Sequence, residues 1–249
     1  MIRKRKHTLA GIGALIVAAV AFVAAPGLAD LGSQIVAPST TTQAPAAPEA
    51  GGPLTASAAD ALEQLAGIPI EETESIDYDE DVYGQRWADI DRNGCDTRND
   101  MLRRDLTDVQ LKPNTNGCVV LTGTLLDSYT GETVAFERKS EGYQPVQIDH
   151  VYPRALAAAH GALELSDEQR LQFANDPLNL VTTVQNQVKG DSGPAEFMPA
   201  GTYGCDYSIR FIAVAAKYSL SLTPADHDAL SRTLSTCTDE GVDGTPVAP

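Results

Sequence analysis

Four cysteines bound what this chain can be: Cys95, Cys118, Cys205 and Cys237 form no CxxC pair, and all lie beyond an N-terminal export signature. Arg3, Lys4, Arg5 and Lys6 precede an apolar run from Leu9 to Ala25, followed by Gly27-Leu28-Ala29. A basic start, an apolar core and small residues before the cut are the layout of a secretory signal, with cleavage expected after Ala29. The run is long for a signal and slightly short for a membrane span. A retained anchor at the outer face of the cytoplasmic membrane is therefore the alternative to a secreted, extracellular protein. Either way the cysteines meet oxidising surroundings, which favour two disulfides over a zinc site or a thiol nucleophile. Of the three formal pairings, Cys95–Cys118 with Cys205–Cys237 needs the least chain crossing and is the expected one.

The rest of the organisation follows from composition. Residues 1–29 read as signal peptide or anchor, and residues 30–57, with runs such as "APSTTTQAPAAPEAGGP", as a flexible Ala/Pro/Thr-rich linker with little to bury. Residues 58–82 hold a short helix and an acidic approach, 83–238 the folded domain and 239–249 a loose tail. The formal net charge is -16, and losing residues 1–29 removes four basic residues and no acid, leaving -20. Such a balance excludes a protein that coats nucleic acid through a broad basic surface. The acids cluster early, with nine between Glu71 and Asp91 against one Arg, so a local phosphate site further on is allowed.

Periodicity places the elements of a mixed α+β domain. Ala58, Leu62 and Leu65 share one face of a helix over 56–67. The Asn93-Gly94 turn leads into a helical run with Met101, Leu102 and Leu106 as its apolar side. "GCVVLTGTLLDSYTGETVAF" reads as two strands about a Thr130-Gly131 turn, and "VQIDHVYP" as a third strand closed by Pro153. Ser166 with Gln169 forms a capping box, "LNLVTTV" is strand-like, and "QNQVKGD" opens a helical turn. Two helices follow, one over 206–218 and one from Thr223 with Pro224 in its first turn. Their cysteines lie at the far ends of the pair, where a bridge clamps an antiparallel hairpin.

Chemistry concentrates at Asp149-His150, at the end of a strand. Neighbours on a regular strand point to opposite faces, so a turn is needed before a carboxylate holding a cation and an imidazole serve one substrate. Alone, the dipeptide also describes a surface acid beside a packed or solvated His. Asn186 can offer an amide oxygen to a hard cation, Asn179 can fix a turn or orient the imidazole, and Lys189 can meet a phosphate. Arg98 either reaches a phosphate or pairs with Asp96 or Asp100; Arg103 and Arg104 read as surface charges. His160 and His227 read as surface or capping residues, and Trp87 and the tyrosines as packing at the domain edge.

Taken in order, "IDHVYP", "NDPLNL" and "NQVKGDSGPAEFMP" resemble the HNH, or ββα-metal, endonuclease superfamily, in particular its exported bacterial members of the DUF1524/GmrSD C-terminal type. The flanking "WADIDRNGCDTRNDMLRRDL", "LTGTLLDSYTGETVAF" and "CDYSIRFIAVAAKYSLSLTPADHDAL" extend the resemblance from Tyr83 to Cys237. It implies a ββα-metal core with flanking helices, with Asp149 and Asn186 as metal ligands and His150 as the general base. It makes Asn179 the residue that steadies the loop and His150, Lys189 a phosphate or packing contact, and Arg98 a neighbour of the core. One divalent cation is implied, Mg²⁺ first and Mn²⁺ or another hard ion second. The implied substrate is DNA, with RNA open to the same phosphate chemistry. No sequence-reading module accompanies the domain, and a monomer is expected. Asn179 and Asn186 are seven residues apart where the family more often has nine, a shortening that bears on where Asn186 lands. Gln187-Val188 replaces a common Arg-Ser. A catalytically weakened scaffold acting as an extracellular binding protein is the alternative function.

Overall fold

Ser57 starts the first helix by a reciprocal cap: its side chain accepts from Asp60 N while the Asp60 carboxylate accepts from Ser57 N. Helix α1 (Ala58–Leu65) then buries Ala58, Ala61 and Leu65 against two C-terminal helices. The computed structural model describes residues 57–72 and 76–237. The signal or anchor, nearly all of the linker and the tail lie outside the described residues.

Asp96 caps α2 (Thr97–Asp105) by accepting from Asn99 N. The helix stops one residue before Leu106, which the sequence pattern had placed on its apolar side. Leu106 instead opens β1 (Leu106–Leu111), a strand that the periodicity did not reveal. The reason is physical: the pairing of β1 slips between Thr107 and Gln110, and Asp108 has φ +52°, so strict alternation is lost. The expected hairpin forms as β2 (Val120–Leu126) and β3 (Thr133–Glu137), giving an antiparallel sheet of order β1-β2-β3.

A second, two-stranded antiparallel sheet pairs β4 (Gln147–His150) with β5 (Leu180–Thr183). Between them run α3 (Arg154–Ala159), a 3-10 turn and α4 (Asp167–Asn175). Ser166 and Gln169 form the expected capping box of α4. Past β5, a single helical turn, α5 (Asn186–Lys189), folds back on β4. The chain closes with α6 (Thr202–Lys217), which begins four residues earlier than expected, and α7 (Pro224–Leu234), capped by Thr223.

Two apolar cores result. The larger gathers Leu65, Tyr152, Phe173, Phe211, Ile212 and Leu230; the smaller gathers Met101, Leu102, Val120, Leu125, Phe136 and Ile148. The β4–β5 pair lies on their seam: Ile148 and Leu180 enter the smaller core, Val151, Tyr152 and Val181 the larger. Both disulfides pair as expected, Cys95–Cys118 and Cys205–Cys237. Closing loops with separations of 23 and 32 residues, each is worth about 3–4 kcal/mol on the chain-entropy scale.

Candidate functional site

The register pairs Asp149 with Val181 and His150 with Leu180, so the two side chains leave β4 on opposite faces. Asp149 turns inward and is buried. Its Oδ2 accepts from the Tyr129 hydroxyl at 2.9 Å and lies 3.2 Å from Lys189 Nζ, while Oδ1 accepts from Asn186 Nδ2 at 3.0 Å. Burial pushes the Asp149 carboxyl up and the Lys189 ammonium down; the contacts between them oppose both shifts. Lys189 also donates to the His150 carbonyl at 2.8 Å. The packing role is therefore the one Lys189 fills, and its side chain is too deeply buried to meet a substrate phosphate.

His150 leaves on the other face, toward the end of α4. Its Nε2 stands 2.9 Å from the Ala174 carbonyl oxygen, and its ring stacks at 15° on Phe173. A carbonyl only accepts, so Nε2 carries the proton and Nδ1 keeps the lone pair. Burial drives the imidazole pKa down to about 3; the Ala174 bond opposes this, and Arg154, Lys189 and Arg86 add to it. The ring is thus neutral at physiological pH, with Nδ1 as its basic atom.

Asn179 is wholly buried and grips the chain just beyond His150. Its Oδ1 accepts from Tyr152 N at 2.8 Å, and its Nδ2 donates to the carbonyls of Tyr152 and Phe173 at 3.3 and 3.4 Å. It supplies the turn-fixing role; the imidazole is held by Ala174 and Phe173 instead. The seven-residue path from Asn179 still delivers Asn186 to Asp149. Asp127, which no sequence motif singles out, anchors this stretch by accepting from the Thr183 hydroxyl and Val184 N at 2.8 and 2.7 Å.

His150 and Asn186 share a solvent-open cleft with Tyr83, Gln85, Arg86, Trp87, Gln147 and Arg154. Its full lining contains two arginines and no carboxylate, on a chain of net charge -16. Arg86 stacks over Trp87, and Arg154 lies over the Tyr83 ring while pairing with Glu80 at 3.0 Å. Neither arginine stands out in the sequence, because the acidic run around Arg86 masks it and Arg154 falls one residue past the "IDHVYP" string. Arg98 lies outside this lining. It is half-buried, its pKa lowered by burial and by the charges of Arg138 and Arg86, with Asp96 opposing.

Three other expectations are corrected. Arg104 is no surface charge: it holds Asp105 through two nitrogens and donates to the carbonyls of Pro177 and Leu180, both at 2.7 Å. It thereby clamps the start of β5. His160 keeps the capping role, as the C-cap of α3 with its N–H reaching the Leu156 and Ala157 carbonyls, but it is buried rather than at the surface, with Nδ1 2.9 Å from Ser221 Oγ. Trp87 packs at the edge of the smaller core as expected and also lines the cleft, whereas Tyr129, Tyr152 and Tyr207 are core residues rather than edge packing.

The donor set fits a hard divalent cation only in part. Asp149 Oδ1 carries one hydrogen bond and has capacity for another ligand, and the Asn186 amide is beside it. Among the described residues no three acidic, His or Cys groups could hold a metal. A two-oxygen site leaves most of a cation's shell to water and substrate phosphate, which suits Mg²⁺ better than a caged ion.

A disulfide-stapled α+β domain with a neutral imidazole at an arginine-lined cleft defines the class. The chain belongs to the family of GmrSD restriction endonuclease C-terminal domains, which it matches over residues 96–232. It is also 36% identical over 203 residues to a protein of Arthroderma benhamiae named as an uncharacterized secreted protein, covering 79% of this chain and 94% of the relative. The name of that relative and the two disulfides both fit an extracellular location. No solved structure matches the chain.

Proposed function

We propose that this protein is a secreted, metal-dependent endonuclease of the HNH, or ββα-metal, kind that hydrolyses phosphodiester bonds of DNA, and of RNA through the same phosphate chemistry. The observation that carries the reading is the tautomer of His150: Nε2 is committed to Ala174, so the basic Nδ1 belongs to a residue lining a cleft with two arginines and no acid. Hydrolysis of a phosphodiester needs a base to take the proton from water and positive charge to receive the anionic diester. His150 Nδ1 takes the proton, and Arg86 and Arg154 draw the phosphate into the cleft. Ala174 and Phe173 keep the imidazole in place, and Asn179 fixes the turn just beyond it. Asp149 and Asn186 would hold one Mg²⁺ or Mn²⁺, which supplies Lewis-acid charge stabilisation at the scissile phosphate when bound. Asn186, which lines the cleft and donates to Asp149 Oδ1, links the buried carboxylate to the opposite face, where His150 stands. Low sequence specificity is part of this reading because the sequence carries no recognisable helix-turn-helix, finger or basic arm beside the domain.

The β4–β5–α5 order supports the ββα assignment, and the family match supports nuclease chemistry. A second reading, a binding protein on the same scaffold, draws on one observation: Lys189 already neutralises Asp149. Plasmid cleavage decides between them. The mature protein is expected to cut plasmid DNA with Mg²⁺, stop on addition of chelator, and lose at least a hundredfold in rate as His150→Ala with its circular dichroism unchanged. Wild-type protein inert on DNA and RNA across Mg²⁺, Mn²⁺ and other divalent ions sinks the enzyme reading.

A further inference from the structure

The loop that leads from the cleft wall into α2 has a spacing the nuclease reading does not use. Asp89, Asp91, Asn93, Gly94 and Asp100 stand at positions 1, 3, 5, 6 and 12 of a twelve-residue segment. That is the ligand order of a helix-entering calcium loop: oxygen side chains at 1, 3 and 5, glycine at 6, a main-chain carbonyl at 7 and a carboxylate at 12. Gly94 takes φ +89°, the sharp turn that position requires. Asp89 draws the loop together by accepting from Asn93 N and Gly94 N at 3.0 and 2.9 Å. The Thr97 hydroxyl, at position 9, donates to the carbonyl of Ala88, the residue before position 1. Cys95, at position 7, is pinned by its disulfide to Cys118.

A tight acidic turn alone would not imply an ion. The separate observation is Asp100. Only 8% of its surface is exposed, and its Oδ1 has no hydrogen-bond partner. The carboxylate interacts with the Asn93 side chain and lies in the field of Asp91, Arg103 and Asp96, with Arg103 as the one opposing charge. A buried carboxylate oxygen with no hydrogen bond is costly, and a cation bound among Asp89, Asp91 and Asp100 would give it the partner that Arg103 does not.

We propose that residues 89–100 bind one Ca²⁺ ion through the side chains of Asp89, Asp91, Asn93 and Asp100 and the carbonyl oxygen of Cys95. These acids do not yet form a closed cage. Asn93 Oδ1 is turned to Cys95 N at 2.7 Å and its Nδ2 to Asp91 Oδ2 at 2.9 Å, so closing on the ion exchanges these hydrogen bonds for coordination. Asp100 stands where a longer Glu is usual, one methylene short of easy bidentate contact. Water completes the shell, and the affinity belongs with extracellular modules, Kd about 10⁻⁴–10⁻³ M. Arg86 and Trp87, on the cleft wall, lie immediately before the loop, so the ion fixes that wall.

Trp87 is the chain's one tryptophan, which provides a readout independent of any activity. Calcium titration of the chelator-treated protein should change Trp87 fluorescence saturably with one ion per chain by calorimetry, and Tb³⁺ should give sensitised emission that Ca²⁺ displaces. Asp91→Asn, at an exposed position, and Asp100→Asn should each weaken Ca²⁺ binding at least tenfold. Asp149→Asn should leave it unchanged, which separates this site from the cleft. Circular dichroism confirms that each variant is folded; Asp91→Asn alone suffices if Asp100→Asn does not fold. No saturable response up to 10 mM Ca²⁺, or a response lost in Asp149→Asn and kept in Asp91→Asn, overturns the proposal.

Discussion

Lys189 Nζ lies 3.2 Å from Asp149 Oδ2 with both side chains almost wholly inside the protein, so the acid that the sequence marks for a cation already has a cationic partner. Removing one partner of such a pair leaves a buried charge uncompensated, whereas removing both relieves it. Lys189→Met is expected to lower unfolding stability by about 3–5 kcal/mol, and Asp149→Leu combined with Lys189→Met to recover a large part of the loss. Urea unfolding of the three proteins checks this. Additive losses would show that the pair is not coupled.

Arg86 and Arg154 are the positive charges of the cleft, and their contribution to nucleic-acid binding is electrostatic. Each Ala substitution should weaken binding of arbitrary duplex DNA and reduce the slope of log K against log salt by about 1. The wider surface of this acidic chain adds little, so the wild-type slope should itself be shallow. Binding measured by anisotropy over a salt series, with His150→Ala as the uncleaving background, tests it. A slope unchanged in both variants would mean the phosphate binds elsewhere.

His160 gives a pH dependence. Burial lowers its pKa below the ordinary value, with Asp226 and Glu71 opposing. Above about pH 6.5 the ring is neutral in folded and unfolded chains alike, and its stability contribution is complete. As pH falls below that value the unfolded chain binds a proton that the folded chain resists, so stability drops until the folded pKa is passed. His160→Gln should flatten the fall of melting temperature between pH 6.5 and 5. An equally steep fall in the variant would exclude His160 as its source.

The legibility of this chain in its sequence was uneven for physical reasons. Capping boxes at Ser166 and the Thr223-Pro224 start are local signals, and the structure keeps both. The disulfide pairing followed from compartment and chain path. Strand β1 was hidden because its bulge at Asp108 breaks the alternation that marks a strand. For Lys189 and His160 the sequence leaves two roles open, and for Arg104 it suggests the surface, because their burial depends on partners far along the chain that periodicity does not register. The cleft arginines were illegible for the same reason: Arg86 and Arg154 meet only once α3 and the 83–87 segment are folded together.

Cys205 and Cys237 test how far α6 and α7 rely on their clamp. Cys205 lies in the first turn of α6 and Cys237 just beyond α7, so the bridge closes the end of the hairpin opposite its connecting turn. Replacing both by Ala should cost about 2–4 kcal/mol. His150, across the large core, should keep its environment. Thermal unfolding is expected to show the loss with native circular dichroism at 25 °C.

Asn179 joins stability to function, because one amide satisfies three main-chain groups around the turn after His150. Asn179→Ala leaves Tyr152 N, Tyr152 O and the Phe173 carbonyl without that partner in a dry environment, a loss of about 1–3 kcal/mol or more. The turn they define also sets the distance from His150 to the end of α4, where Ala174 fixes the imidazole tautomer. Displacement of about 1 Å at a reacting group costs on the order of a hundredfold in rate. Asn179→Ala should therefore lower kcat far more than it raises KM, in protein that remains folded below its reduced melting temperature. Asn179→Asp keeps the acceptor for Tyr152 N but sets a buried carboxylate against two carbonyl oxygens, so it should be at least as damaging as Ala. A kcat equal to wild type in folded Asn179→Ala would show that the imidazole is held by Ala174 and Phe173 alone.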